Sequence, residues 1–253
     1  SMDYSQQEPR LVVHYSSILK LPEIEPVVEE YKKGEADFHS IVAEMANIPR
    51  KQAKNINLGL FYSMGQKKLA EQLNVPLEEA QDLFDKYHQR VPFVKMLSDY
   101  CRNRASDKGF IRTLLGRKCR FDLWEPRQFG TGKIATFEKA QTEFGANIKR
   151  AFTHKALNRL IQGSAADQTK VAMKQLFEEG FLPLLQVHDE LCFSSSDPDE
   201  VKRITEIMEN CVELEIPSKV DVEYGESWGD AKTVFTDKPW ARSISDGGGK
   251  MIA

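Results

Sequence analysis

The chain is short of nearly everything that would place it in a membrane, a secretory compartment or a zinc-stapled fold. Cys101, Cys119, Cys192 and Cys211 are scattered without a CxxC pair, so neither a zinc site nor a disulfide framework is indicated. Reduced thiols in a cytosol-like compartment fit that usage. No signal peptide opens the sequence and no apolar run approaches the length of a bilayer span, so no membrane partner is expected. No internal repeat is visible. Charge of either sign is not in excess: the net charge is −3, which gives no global attraction for nucleic acid and leaves that question to local basic patches. What is present is 253 residues that are 41% hydrophobic, enough core for one large domain or two interleaved ones.

Local patterning predicts helices over 26–33, 37–47 (capped by Asp37), 50–63, 66–73, 77–90, 93–107, 135–150, 153–179 and about 198–213. Pro92 ends the helix before it. Residues 110–121 read as a hairpin turning at Leu115-Gly116, and 124–133 as a loop in which Gly130 and Gly132 give flexibility. Strands are expected around 182–187, 191–194 and 218–226, and the tail 243–253 reads as disordered. Helices in the middle and strands late indicate an α+β chain rather than alternating βαβ units.

Three stretches carry chemistry. In "LLQVHDELCF" (184–193) His188, Asp189 and Glu190 interrupt apolar residues. Charges there are expensive to bury unless paired or bound to a metal. A tight hairpin with Asp at its bend explains them equally well. In "RKQAKNINLGLFYSMG" (50–65) Arg50, Lys54, Leu58 and Tyr62 recur every four residues and form one drifting helical stripe. Two cations and then an aromatic suit a triphosphate and a base, and a solvated amphipathic face suits them too. In "DYSQQEPRLVVHYS" (3–16) Ser5-x-x-Glu8 has capping-box spacing, with Asp3 just ahead of the helix. Asp3 and Asp189 share divalent ions if the fold joins them.

With these motifs in order, the chain resembles the polymerase domain of family-A DNA polymerases, the group of bacterial DNA polymerase I and its phage relatives. "DYSQQEPR" is similar to the first palm motif DYSQIELR, residues 50–65 to the fingers motif R-x3-K-x-I-N-F-G-x-x-Y-G, and "QVHDEL" to the second palm motif. "ALNRLIQGSAAD" (156–167) resembles the N-x3-Q-G helix, and "YHQRVPFV" (87–94) and "GFIRTLLGRK" (109–118) follow family patterns between them. The resemblance covers roughly residues 3–230.

The resemblance implies an α+β fold in which a helical fingers subdomain (17–125) is inserted in an antiparallel-sheet palm (1–16 and 126–242), with the thumb absent. It implies template-directed DNA synthesis from dNTPs with two Mg²⁺ ions held by Asp3, Asp189 and the Tyr4 carbonyl, and Glu190 as an auxiliary carboxylate. Arg50 and Lys54 would hold the triphosphate, Lys54 also donating a proton to pyrophosphate, with Gln6 and His39 close by. Glu8 would reject ribose, supported by Tyr62, and Leu58 would lie at the sugar. Asn158, Gln162 and His188 would track the minor groove of primer–template DNA, where acceptors are nearly alike for every base pair. The implied partners are primer–template DNA, dNTPs and an N-terminal thumb and exonuclease part. The implied setting is the cytoplasm of a bacterial or phage-infected cell, or an organelle.

Departures from the pattern are Leu58 where many members carry Phe or Tyr, Ser63 in place of glycine, and Pro9 in a first helical turn, where proline is tolerated. Residues 122–150 are longer than expected, and Lys133, Lys139, Lys149 and Arg150 offer template contacts or a solvated face. Two other classes remain open on sequence: a single-subunit RNA polymerase relative, against which Glu8 and Glu190 speak, and a non-catalytic nucleotide- or DNA-binding fragment, against which the intact Asp3 and Asp189 speak.

Overall fold

The computed structural model describes residues 1–34, 36–61, 64–128, 133–231 and 233–234. Tyr62, Ser63, Gly130, Gly132 and the tail from 243 lie outside the described residues, and of Leu58 only the backbone is described. The elements run β1 (Met2–Tyr4), α1 (Gln7–Ile18), α2 (Glu25–Lys32), α3 (Phe38–Ala46), α4 (Arg50–Phe61), α5 (Gln66–Leu73), α6 (Leu77–Arg90), α7 (Pro92–Lys108), β2 (Phe110–Arg112) and β3 (Lys118–Arg120). They continue with β4 (Trp124–Pro126), α8 (Phe137–Phe144), β5 (Ile148–Arg150), α9 (Ala156–Glu178), β6 (Leu185–Val187), β7 (Glu190–Cys192), α10 (Pro198–Asn210), β8 (Val220–Tyr224) and β9 (Thr233–Val234). This is the expected α+β mixture. The chain forms two compact units, residues 1–11 with 165–253, and residues 12–164. Their limits fall inside α1 and α9, whereas the sequence-based divisions stand at 16/17 and 125/126.

The first unit is built on an antiparallel sheet in the order β6-β7-β1-β8-β9. Alternation along β1 buries Met2 and Tyr4 beneath it, with Leu191, Val220 and Val222 from its neighbours and Ile204, Ile207 and Met208 of α10. Burial of such side chains is worth roughly 1.5–3 kcal/mol each and fixes the register, because a one-residue slip would turn the whole set outward. Asp197 caps α10 by accepting from the Asp199 N–H at 2.9 Å, ahead of Pro198 at the first helical position.

The second unit is helical with two small hairpins. Asp37 caps α3 as expected, accepting from Ser40 N–H, and Asn47 ends it in the left-handed conformation. Phe38, Ile56, Tyr87, Phe93 and Leu97 are fully buried. The predicted helix 135–150 is corrected. It ends at Phe144, Gly145 turns the chain with φ +61°, and residues 148–150 pair with 124–126, which read as loop in the sequence. The strands are held by Trp124: Phe137 packs edge-on to it at 5.0 Å, and the Arg150 guanidinium lies 4.6 Å from its ring. Arg150 also donates to the Phe121 and Ser106 carbonyls, and Lys149 pairs with Glu125 at 3.5 Å. Gly109 suits its left-handed backbone (φ +74°), which L side chains rarely adopt, and a Cβ there would also force the Arg150 guanidinium, 2.7 Å away, to shift.

Candidate active site

Val187 pairs with Glu190, so His188 and Asp189 form a two-residue hairpin loop between β6 and β7. The bland sequence reading, a tight turn with Asp at the bend, is thus geometrically right. His188 has φ +57°, a left-handed conformation that costs a non-glycine residue about 1 kcal/mol. Such strain is concentrated at functional turns. The predicted strand at 191–194 starts at Glu190, which is inside β7 rather than in the turn.

Register assembles the rest. Asp3 stands opposite Glu190 on one side and Asp221 on the other. Directly opposed residues share a sheet face, so Asp3, Glu190 and Asp221 form an acidic row on the face away from the core. Ser1 and Glu223 exchange both backbone hydrogen bonds (2.8 and 2.9 Å), and Ser5 N–H donates to Lys219. Odd residues of β1 therefore bond β8, and the backbone groups of Met2 and Tyr4 point to the β7 side. That places the Tyr4 carbonyl on the side of the Asp189 turn, while its ring is buried with its hydroxyl donating to the Met208 carbonyl at 2.8 Å.

Asp3 is the electrostatically uncompensated member of the row. The Asp3 carboxyl is pushed up to about 6, first by desolvation and then by the charges of Asp189, Glu190, Asp221 and Glu223, with no basic group among the causes. Asp189 is raised as well, chiefly by desolvation. Glu190 behaves differently. Desolvation acts to raise it, but hydrogen bonds from Ser1 Oγ, Trp228 Nε1 (2.9 Å) and Cys192 Sγ (3.3 Å) hold it below the usual carboxylate range. Among the described residues no three His, Cys, Asp or Glu side chains already converge as a metal cage. Two carboxylates and a carbonyl nevertheless suit Mg²⁺, which keeps waters and takes substrate phosphate oxygens for the rest of its shell.

Gln6 follows β1 with φ +53°, and α1 starts at Gln7. The residue before the helix is thus Gln6, not Ser5, so Ser5 and Glu8 do not occupy the cap and third helical positions and the predicted capping box does not form; the third position is Pro9. Glu8 lies half-buried in the first turn. In the second unit α4 buries Ala53, Ile56 and Asn57 and leaves Arg50 and Lys54 exposed, so the predicted stripe of cations faces solvent. Arg50 is ion-paired with Asp37 at 2.7 Å. His39 is buried: its Nδ1 is 3.0 Å from the Asn57 amide, whose oxygen accepts from the Tyr87 hydroxyl. Desolvation holds His39 below its ordinary pKa. Asn158 and Gln162 lie one turn apart on α9, half-buried and exposed respectively, and His188 is exposed.

Sequence reading passed over two residues. Asn57 was part of the fingers pattern without a role. Gln7 stands where the palm pattern has Ile, and that departure was the available signal. Its buried amide donates to Gln168 Oε1 (3.2 Å), and Gln168 donates to Ser218 (2.9 Å).

The pattern of DNA polymerase family A matches residues 1–230. The DNA-directed DNA polymerase of Pseudomonas phage M6 is 38% identical over 90% of this chain, and DNA polymerase I of Geobacillus stearothermophilus is 32% identical over 91%. The chain spans 38% and 26% of their respective lengths. The polymerase domain of Pol1 from M. smegmatis, solved with DNA primer–template and dNTP, aligns with TM-score 0.70 and 32% identity, covering 91% of this chain and 40% of that one. Motifs, fold and similarity agree, and the chain belongs to DNA polymerase family A.

Proposed function

We propose that this chain carries the palm and fingers chemistry of a template-directed DNA polymerase, transferring a nucleotide from a dNTP to a primer 3′-hydroxyl. The observation that carries the reading is the acidic row, where Asp3 is set beside Glu190 by strand register and Asp189 is presented by the adjoining strained turn. Asp3, Asp189 and the Tyr4 carbonyl would hold two Mg²⁺ ions. Bound there, the ions would acidify the primer hydroxyl and neutralise the triphosphate and leaving pyrophosphate. The raised Asp3 pKa supports this reading: desolvation first, and then the neighbouring carboxylates, disfavour its charge, and a shared cation would offset both.

Residue roles follow the same logic. Glu190 is tied by Trp228 and serves as a fixed negative neighbour rather than a direct ligand. Arg50 and Lys54 bind phosphate oxygens, Lys54 protonating pyrophosphate, with Gln6 near the triphosphate. Glu8 excludes a ribose 2′-hydroxyl, with Leu58 and Tyr62 at the sugar and base. Asn158, Gln162 and His188 contact the DNA minor groove. His39 supports the triphosphate helix from the core, through Asn57. The cytoplasm of a bacterial or phage-infected cell is the proposed setting.

Single-nucleotide incorporation on primer–template DNA tests this, with the chain within the full polymerase length its relatives have. Asp189→Ala should reduce the rate by at least about 10³-fold, as expected when transition-state charge stabilisation is removed, with DNA affinity within a few fold. Equal incorporation by variant and parent would overturn the assignment.

A further inference from the structure

Asp37 does more than cap α3. Its Oδ2 accepts from Ser40 N–H (3.2 Å), Ser40 Oγ (2.6 Å) and, from thirteen residues away, Arg50 Nε (2.7 Å). Ser40 Oγ also accepts from Arg50 Nε at 3.1 Å. The other carboxylate oxygen, Oδ1, is buried and has no hydrogen-bond partner among the described residues. Among the described residues only the Nε of Arg50 is engaged, and the edge formed by Nη1 and Nη2 has no partner there, on a side chain that is 58% exposed. A guanidinium is planar and rigid. Fixing it at Nε therefore fixes the direction of its Nη edge, and that edge matches two oxygens of a phosphate group.

A long arginine side chain otherwise loses about 2 kcal/mol of rotamer freedom on binding. A capping carboxylate locked to the first turn of α3 removes much of that loss beforehand. The negative charge of Asp37 is already shared among three donors, which limits its repulsion of an anion. Lys54 follows Arg50 by one turn, exposed on the same face.

We propose that Asp37 is a positioning residue for nucleotide binding: it holds Arg50 through Nε so that the free Nη edge is aimed at the phosphates of an incoming nucleoside triphosphate. This rests on the reading of Arg50 as a triphosphate ligand.

Calorimetric titration of the whole chain with inorganic tripolyphosphate at low ionic strength tests it, using Asp37→Asn, Arg50→Ala and the double variant. Asparagine caps helices as well as aspartate, so Asp37→Asn should keep the parent's melting temperature. It should nevertheless weaken binding about threefold to tenfold, the net worth of one ordinary hydrogen bond. In the Arg50→Ala background the same change should have no further effect. Undiminished or tighter binding by Asp37→Asn would overturn the proposal, the second result marking Asp37 as a competitor for Arg50. An equal loss in both backgrounds would overturn it too, since Asp37 would then act without Arg50. If Arg50→Ala binds like the parent, or the parent does not bind, the triphosphate reading of Arg50 fails first and the positioning role with it.

Discussion

The acidic face of the sheet and the basic face of α4 solve opposite problems. On the sheet, Asp3, Glu190 and Asp221 are brought side by side by register alone, and Asp3 has no basic partner to relieve it. On α4, the cation Arg50 is already paired with Asp37, and the histidine expected beside it is sunk in a polar chain with Asn57 and Tyr87. One region stores unfavourable charge that the proposed cations would relieve. The other holds most of its polar groups in internal pairs and presents only selected edges. Substitutions in the first should therefore alter ion binding without loss of folding, whereas many in the second should alter folding as well.

The largest expected effect in the second region is on chemistry. Lys54 is exposed and has no structural duty in the core, so Lys54→Ala should fold normally yet lower kcat by about 10²-fold or more and raise KM for dNTP, as loss of a proton donor that also binds phosphate requires. Single-turnover incorporation measures this. A variant matching the parent would return that face to simple solvation. Next comes a folding effect. Asn57→Ala leaves the buried His39 ring and Tyr87 hydroxyl without their shared partner, at a cost of roughly 2–4 kcal/mol. Chemical denaturation reads it, and a loss below about 0.5 kcal/mol, the scale of ordinary surface changes, would show that the chain His39–Asn57–Tyr87 is not a structural tie.

The same contrast explains what the sequence made legible. Helix caps and breaks at Asp37, Pro92 and Gly109 are local chemistry and were readable within a residue or two. The turn at His188-Asp189 was readable because polar residues interrupted an apolar run. The pairing of β4 with β5 was not, because 135–150 is helical in local pattern and the strand exists only through the packing of Arg150 and Phe137 on Trp124. For the same reason Lys149 and Arg150, read as template contacts or a solvated face, have partners within their own unit. At the site, motifs named Asp3, Asp189, Arg50 and Lys54, but neither the opposition of Asp3 and Glu190 nor the Arg50–Asp37 tie follows from spacing. The first depends on strands nearly two hundred residues apart in sequence, and the second joins two helices. His39 matched a motif position, and its buried ring is hydrogen-bonded to Asn57, to which the pattern assigned nothing.

The smallest expected effect is also the most direct test that the acidic row is a cation site. A carboxyl whose folded pKa lies near 6 instead of 3.8 is destabilising once ionised. The penalty grows as pH rises between those values and is complete above the folded one. At pH 8 without divalent ions, Asp3→Asn should therefore melt higher than the parent; because Asp3 is solvent-exposed and screened, the rise should be only about 2–4 °C, the scale of about 1 kcal/mol for a chain of this size. Adding Mg²⁺ should raise the parent's melting temperature by selective binding to the folded state and leave the variant unmoved. Equal melting temperatures, with no response of the parent to Mg²⁺, would contradict the account.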